Sequence, residues 1–418
     1  MSTGPGLARR LGTADAVVIG LGSMLGAGVF AAFAPAAAAA GAGLLAGLGI
    51  AAVVAYCNAT SSAQLAAQYP TSGGTYVYGR ERLGPWWGFL AGWGFVVGKT
   101  ASCAAMALTF AAHVAPSGWQ RPVAAAAVLT LTAVNYRGIT RTARLARVIV
   151  TVVLVALAVA VAAVLLGDGS EAGGPPPWAP LDGGVYGLLQ SAGLLFFAFA
   201  GYARIATLGE EVRDPERTIP RAIPLALGIT VVVYAAVAVA LLAALGPAGV
   251  AGTAQPLAEA VGRSDWAWAS PVVRVGAAAA ALGALLALIA GVGRTGLAMA
   301  REGDLPRYLA AVHPRFGVPH RAEVTVGALV CLLVLTVDLR GAIGFSSFGV
   351  LLYYLVANAA ASTQDRGHRR YPRALQVLGG TGCVVLVATL PWQAVLTGVA
   401  VLAVGVAGRI GRVRLRPR

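Results

Sequence analysis

Charge is scarce in this sequence. Of 418 residues, 16 are acidic and 31 are basic, so charged side chains make up 11%, against about 25% in ordinary soluble domains. A chain so poor in charge cannot cover itself with water-facing side chains, which argues against a set of soluble domains. Lysine is nearly missing: Lys99 is the single one, and the other 30 basic residues are arginine. The four cysteines, Cys57, Cys103, Cys331 and Cys383, lie in apolar stretches without CxxC spacing. Neither a disulfide framework nor a thiolate zinc site is supported. His113, His313, His320 and His368 are scattered over loops and span ends, and no HExxH occurs. No Walker A run is present, so ATP drive is unsupported. No nucleophile–base pair suggests a membrane hydrolase, and no residue set calls for a metal or a cofactor. The first apolar run is too long for a cleavable signal peptide and lacks a small-residue cleavage site.

Apolar residues are what the chain has, at 58%. Runs of 18 or more recur along the whole length, each long enough for a hydrocarbon core of about 30 Å. Twelve spans are expected, at about 14–38, 42–66, 86–113, 120–135, 146–167, 184–208, 219–245, 270–299, 322–338, 341–362, 374–390 and 392–408. Together they read as an all-α membrane protein with one transporter domain over residues 1–418. Turn-rich joints separate the spans, such as Gly173-Gly-Pro-Pro-Pro177.

Arginine sets the orientation. With a cytoplasmic N-terminus, inner segments hold Arg9, Arg10, Arg80, Arg82, Arg137, Arg141, Arg144, Arg147, Arg213, Arg217, Arg221, Arg301, Arg307, Arg315, Arg321, Arg366, Arg369, Arg370, Arg373 and the five from Arg409 to Arg418. Outer segments hold Arg121, Arg263, Arg274 and Arg340. That is 24 against 4, a positive-inside bias that puts both termini in the cytoplasm of a multi-pass cell-membrane protein. It accounts for the net charge of +15 without a nucleic-acid partner. The arginine-rich tail suits a topology anchor and contact with anionic lipid headgroups. Nothing in the sequence fixes an oligomeric state.

Two spans carry breaks. The first holds Gly20, Gly22, Gly26 and Gly28; the sixth holds Phe196-Phe-Ala-Phe-Ala-Gly-Tyr202. They stand five spans apart, and an odd repeat inverts its second copy in the membrane, the layout of inverted-repeat transporters. The units are about 14–167 and 184–362, with extra helices at about 374–408. In Gly22-Ser-Met-Leu-Gly-Ala-Gly-Val-Phe30, each mid-helix glycine costs about 1 kcal/mol relative to alanine. Such a stretch favours unwinding, and unwound backbone at membrane depth is tolerated where it lines a cavity. Its N–H groups can then hold a carboxylate. Gly22-xxx-Gly26 equally fits close helix packing, and from this motif alone both readings stand.

This motif is similar to the first-helix motif of the amino acid–polyamine–organocation permease family. Tyr69-Pro-Thr-Ser-Gly-Gly-Thr-Tyr-Val-Tyr78 resembles the loop after that family's second helix. The stretch from Gly201 through Glu210-Glu-Val-Arg-Asp-Pro-Glu-Arg-Thr-Ile-Pro220 resembles its sixth-to-seventh helix link. Arg301-Glu-Gly-Asp-Leu-Pro306 with Phe316-Gly-Val-Pro319 resembles the loop after its eighth. The blocks stand in the family's order and cover about residues 10–365. The resemblance implies a LeuT-like 5+5 inverted repeat, with substrate between helices one, three, six, eight and ten. Carried over by position, Ser23, Met24, Gly26, Ala27 and Gly28 would cradle an amino acid's carboxylate. Phe199, Ala200, Gly201 and Tyr202 would offer carbonyls to its ammonium and cover it, although Phe199 and Tyr202 also suit plain packing.

The chain departs from the family at three places. The lysine often found midway along the fifth helix is about Val153 here, the frequent second-helix acid is Gln64, and the position after the sixth-helix aromatic is Ala203. Lys99 stands against these losses, in Gly94-Phe-Val-Val-Gly-Lys-Thr-Ala-Ser102. An intramembrane charge costs at least about 2.5–3.5 kcal/mol on insertion scales, and lysine, unlike arginine, can release its proton. A coupling role is therefore expected, with snorkelling from a helix end as the plain alternative. Arg204, beside Glu210 and Glu211, and Arg294, which resembles the family's eighth-helix arginine, suit structural ion pairs. Asp15 and Asp338 fall at span ends and carboxylates at membrane depth are nearly missing, which favours neutral amino acids over a cationic substrate. No hydroxyl stands in Ala287-Leu-Ile-Ala-Gly-Val-Gly-Arg294 where a sodium ligand is expected, so proton symport or exchange is favoured over sodium coupling. The alternatives are a transport-inactive amino acid sensor on the same scaffold, a cationic amino acid or polyamine permease, and, least of all, a membrane enzyme.

Overall fold

The computed structural model describes residues 11–71, 73–138, 143–167 and 183–414. Arg9, Arg10, Ser72, Arg141, the Gly173–Pro177 joint, Arg416 and Arg418 lie outside the described residues. The chain is built of helices: α1 (Thr13–Met24), α2 (Gly28–Ala31), α3 (Phe33–Ala40), α4 (Leu44–Gln68), α5 (Thr75–Leu83), α6 (Pro85–Val114), α7 (Gln120–Tyr136) and α8 (Ala143–Leu166) come first. They are followed by α9 (Gly184–Phe199), α10 (Ala203–Ala206), α11 (Pro215–Ala251), α12 (Pro256–Gly262), α13 (Ser270–Arg301), α14 (His320–Thr336), α15 (Leu339–Ser362), α16 (Arg373–Thr389) and α17 (Trp392–Arg414). Among the described residues the β pairing is one isolated bridge, Leu11 to Val212. It ties the N-terminal segment to the link after the second break.

Among the described residues, nine helical segments are long and apolar enough to cross a membrane. α7, α14 and α16, at 17 residues each, are at the short end of what spans a bilayer. Local chemistry explains the ends. The Asp15 carboxylate accepts the Gly12 N–H at 3.3 Å, half of a capping box, and pairs with Arg147 on α8 at 2.7 Å. Asp338 caps α15 by accepting the Gly341 N–H at 2.8 Å. Pro85 opens α6 at its first turn, where a missing N–H costs nothing. In α11, Gly246 (φ 62°, ψ 171°) turns the chain just before Pro247.

Both expected breaks are present. Helix stops at Met24 and resumes at Gly28, leaving Leu25, Gly26 and Ala27 non-helical. α9 stops at Phe199, and Ala200–Tyr202 tightens into a 3₁₀ turn before α10. α6 packs against α13 and α15, α4 against α9 and α11, and α1 against α8, α11 and the second break. The two breaks thereby come together inside the bundle.

At the arginine-rich end, α17 is fastened to the rest of the molecule. Asp304, after α13, pairs with Arg409 at 3.2 Å and with Arg80 at 3.7 Å. It also accepts from the Tyr76 hydroxyl at 2.9 Å. Burial and the Asp304 charge push the Tyr76 hydroxyl above its ordinary range, so it stays a donor. The Arg409 guanidinium lies over Trp86 and Phe89, 4.6 and 4.8 Å from the ring centres, and donates to the Pro85 carbonyl at 2.8 Å.

Candidate functional site

One face of α6 meets both breaks. Lys99, Ser102, Cys103 and Met106 recur at helical spacing along it and are buried. Lys99 is 7% exposed, so it is not snorkelling to a surface. Its ammonium donates to the Ala200 carbonyl, 3.2 Å away, at the C-terminal end of α9 where the helix dipole favours a cation. The Tyr354 hydroxyl on α15 donates to the same oxygen at 3.3 Å, and its ring packs against that of Tyr202, tilted by 31° with centres 4.9 Å apart. No carboxylate pairs with Lys99 among the described residues. At the other break, the Ala27 N–H points at the Met106 thioether sulfur, 3.3 Å away. Ser102 bonds the Ser346 hydroxyl of α15 at 2.6 Å.

A third element binds the breaks to each other. The Tyr234 hydroxyl on α11 lies 2.5 Å from the Met24 carbonyl and 3.0 Å from that of Ala198. These oxygens are left over where α1 and α9 end, and one hydroxyl serves both. Phe199 packs on the Tyr234 ring at 5.1 Å.

The glycines have distinct duties. A Cβ on Gly201 would lie 2.3 Å from the Ser23 carbonyl oxygen, and one on Gly28 would lie 2.6 Å from the Ala198 Cα. The breaks therefore touch backbone to backbone at these two residues. A Cβ on Gly26 would meet a single methyl, Ala284, at 2.9 Å.

Ser23, Met24, Gly26, Ala27, Gly28, Phe199, Ala200, Gly201 and Tyr202 thus fall in one place, with Lys99 beside them. Ser23 is turned away from it: its hydroxyl donates to the Ile19 carbonyl one turn back, at 2.9 Å. Val153 is buried on α8, whose Val150 packs on Gly22, so apolar surface stands where the resemblance would put a lysine. Arg204 donates to the Thr207 hydroxyl at 3.4 Å, with Glu211 in electrostatic reach. Met106, Tyr234 and Tyr354 were not legible as site residues, since methionine and tyrosine in apolar helices read as core. Glu323 is a further carboxylate, 2% exposed in the first turn of α14, packed on Gly293 next to Arg294. Its place in the ninth span was visible in the sequence.

Helices that cross a membrane, two of them interrupted where they meet, define a multi-pass membrane transporter. A family model described as amino acid permease matches residues 11–408, and the chain belongs to that family. It is 65% identical over 405 residues to an uncharacterised transporter of Mycobacterium tuberculosis, covering 96% of this chain and 90% of that one. It is 26% identical over 433 residues to a branched-chain amino acid permease of Bacillus subtilis, covering 96% and 92%. It is 27% identical over 385 residues to a chloroplastic cationic amino acid transporter of Arabidopsis thaliana, covering 85% and 66%.

Proposed function

We propose that this protein is a secondary transporter that moves neutral amino acids across the cytoplasmic membrane by proton symport or by exchange. The observation that carries the reading is the meeting of the two breaks, with Lys99 as the cation at the second. In this reading the twelve spans form a LeuT-like pair of inverted repeats, about 14–167 and 184–362, with both termini cytoplasmic. The substrate carboxylate sits at the N–H groups of Gly26, Ala27 and Gly28, where α2 begins. The ammonium sits at the carbonyls of Phe199 and Gly201 that flank the Ala200 oxygen held by Lys99 and Tyr354, under Phe199 and Tyr202. Lys99 is the coupling group.

Neutral substrates are favoured because the charged group at the breaks is itself a cation and no carboxylate among the described residues pairs with it. The Bacillus relative's name supports this class. The Arabidopsis relative's name supports a second reading, a carrier of cationic amino acids, with Glu323 as the one buried carboxylate on α14. Glu323 lies beside Arg294 and not beside the breaks, which weighs against it. The test is uptake and counterflow of labelled leucine and arginine in proteoliposomes. Leucine exchange with little arginine exchange is expected. Preferred arginine uptake would overturn the neutral class. Thermal stabilisation by amino acids without any counterflow would instead identify a sensor.

A further inference from the structure

Away from the breaks, a polar seam runs between α4, α15 and α16. Asn358 on α15 donates to its own helix at the Tyr354 carbonyl (2.9 Å) and to Asn58 Oδ1 on α4 (2.6 Å). It accepts from Ser61 at 2.7 Å. Asn58 Nδ2 lies 3.4 Å from the Cys383 sulfur on α16. One layer closer to the arginine-rich end stand three glutamines from three segments: Gln64 on α4, Gln364 just past α15, and Gln376 on α16. They are 0%, 1% and 2% exposed. Gln364 bonds Gln68 at 2.6 Å, and Gln64 Oε1 accepts the Arg370 and Tyr371 N–H groups at 3.2 and 3.3 Å.

This layer is not satisfied by the protein. Gln64 Nε2, Gln364 Oε1 and both amide atoms of Gln376 find no partner among the described residues. The Gln376 side chain faces the seam, because Gln376, Gly379, Cys383 and Leu386 form the buried face of α16. Gly379 abuts Asn358 and Cys57, while Gly382 abuts Val54. α16 therefore runs antiparallel to α4, which sets Gln376 level with about residues 60–64. Orphaned buried amides cost about 2–7 kcal/mol each unless water reaches them, and a polar site with several convergent groups is where buried water is held.

We propose that this glutamine layer holds water and forms, with Asn58, Asn358 and Tyr354, the route by which protons pass between Lys99 and the arginine-rich face. The inference rests on the coupling role of Lys99 proposed above. The ammonium breaks one N–H bond and hands the proton to a water or hydroxyl of the seam. The charge leaves as a proton into bulk water beyond Gln364, and the amine is reprotonated when the site next opens to the opposite side. Tyr354, whose hydroxyl shares the Ala200 carbonyl with Lys99, can pass a proton by accepting one and giving up its own. Amides cannot, so Asn58, Asn358 and the glutamines only position the carriers, which are the Ser61 hydroxyl bonded to Asn358 and water in the glutamine layer. The titratable groups that face Lys99 are Cys103 along α6, Tyr202 at the break and Tyr354 on α15. Arg294, on the packed α13, lies by Arg204 and Glu323.

The experiment compares wild type, Gln376→Leu and Lys99→Met in proteoliposomes that carry a pH-sensitive dye inside. Counterflow of labelled amino acid and proton flux accompanying net uptake are recorded together. Gln376→Leu is expected to keep counterflow and to lose proton flux, with Lys99→Met as the reference that has no proton flux. Replacing an unpartnered amide by an apolar side chain of similar size is compatible with folding, and Gln376→Met serves where Gln376→Leu does not accumulate. Unchanged proton flux in a folded Gln376 variant overturns the route while leaving Lys99 as coupling group. Absence of proton flux in wild type overturns the coupling reading and the route with it.

Discussion

At the residue scale the glycines divide into two that set backbone against backbone and one, Gly26, that faces a side-chain methyl. Gly201 and Gly28 bring backbone against backbone, with a Cβ at 2.3 and 2.6 Å from main-chain atoms that cannot step aside. Gly201→Ala and Gly28→Ala are expected to lower stability by at least about 1–3 kcal/mol, the cost of overpacking, seen as an earlier melting transition in detergent. Gly26→Ala meets one methyl at 2.9 Å and the flexible Met106 tip at 3.7 Å. It is expected to accumulate as folded protein with reduced counterflow. Normal transport by that variant would remove the first break from the substrate site. The sequence marked these positions because glycine is costly in a helix, but it left packing and binding undivided. What divides them is which atoms lie opposite, and those come from α1, α9 and α13, more than 150 residues away. Lys99 was legible for another reason: a lone lysine among arginines, deep in an apolar run, has no cheap explanation. Its partner, the Ala200 carbonyl, was not legible, because any backbone oxygen looks alike in a sequence.

At the scale of elements, α11 and α17 act as fasteners. Tyr234 on α11 serves two helix-end carbonyls at once. Tyr234→Phe keeps the ring that Phe33 and Phe199 pack on and strips both oxygens of their donor. A loss of about 1–3 kcal/mol is expected, the penalty for buried groups left unpaired, together with slower exchange because the breaks are no longer held in register. Wild-type melting and exchange in Tyr234→Phe would show that other donors take over. α17 is expected to depend on a charge pair in the same way. Asp304 and Arg409 are 5% and 8% exposed at their side chains, and removing one partner of a buried pair costs about 3–5 kcal/mol by stranding the other. Asp304 keeps Arg80 and the Tyr76 hydroxyl in Arg409→Met, so its loss should fall at the low end of that range. Arg409→Met combined with Asp304→Asn should recover much of the loss, and a double variant no better than the single would count against the pair. The positive-inside pattern marked Arg409 as part of a basic tail. It could not show a guanidinium folded back between two aromatic rings, since a surface arginine and an anchored one have the same local sequence.

For the whole molecule the question is what drives it. Carbonyls at the end of a broken half-helix are the groups that coordinate sodium or carry protons in transporters of inverted-repeat design. Here the Ala200 oxygen is already engaged by an ammonium and a phenol hydroxyl, so a fixed cation stands where a mobile one would bind. Uptake is expected to ignore sodium at matched pH and ionic strength, and to respond to an inward proton gradient or to proceed as exchange. A sodium requirement would mean that the cation at this break is not Lys99. The pH profiles of wild type, Lys99→Arg and Lys99→Met then separate the remaining modes. Arginine holds its proton at any accessible pH, whereas lysine in a dry site can release it. If Lys99 carries the proton, wild-type uptake changes with pH as its charge is lost on the alkaline side. Lys99→Arg then transports with a flat profile, and Lys99→Met is inactive in net uptake. If the charge is needed only as a fixture, wild type and Lys99→Arg share one profile, Lys99→Met alone fails, and the protein is an exchanger. Three coincident profiles would place the coupling group elsewhere, with Glu323 the first carboxylate to test, because it is buried in α14 beside Arg294 and one of its oxygens has no hydrogen-bond partner among the described residues.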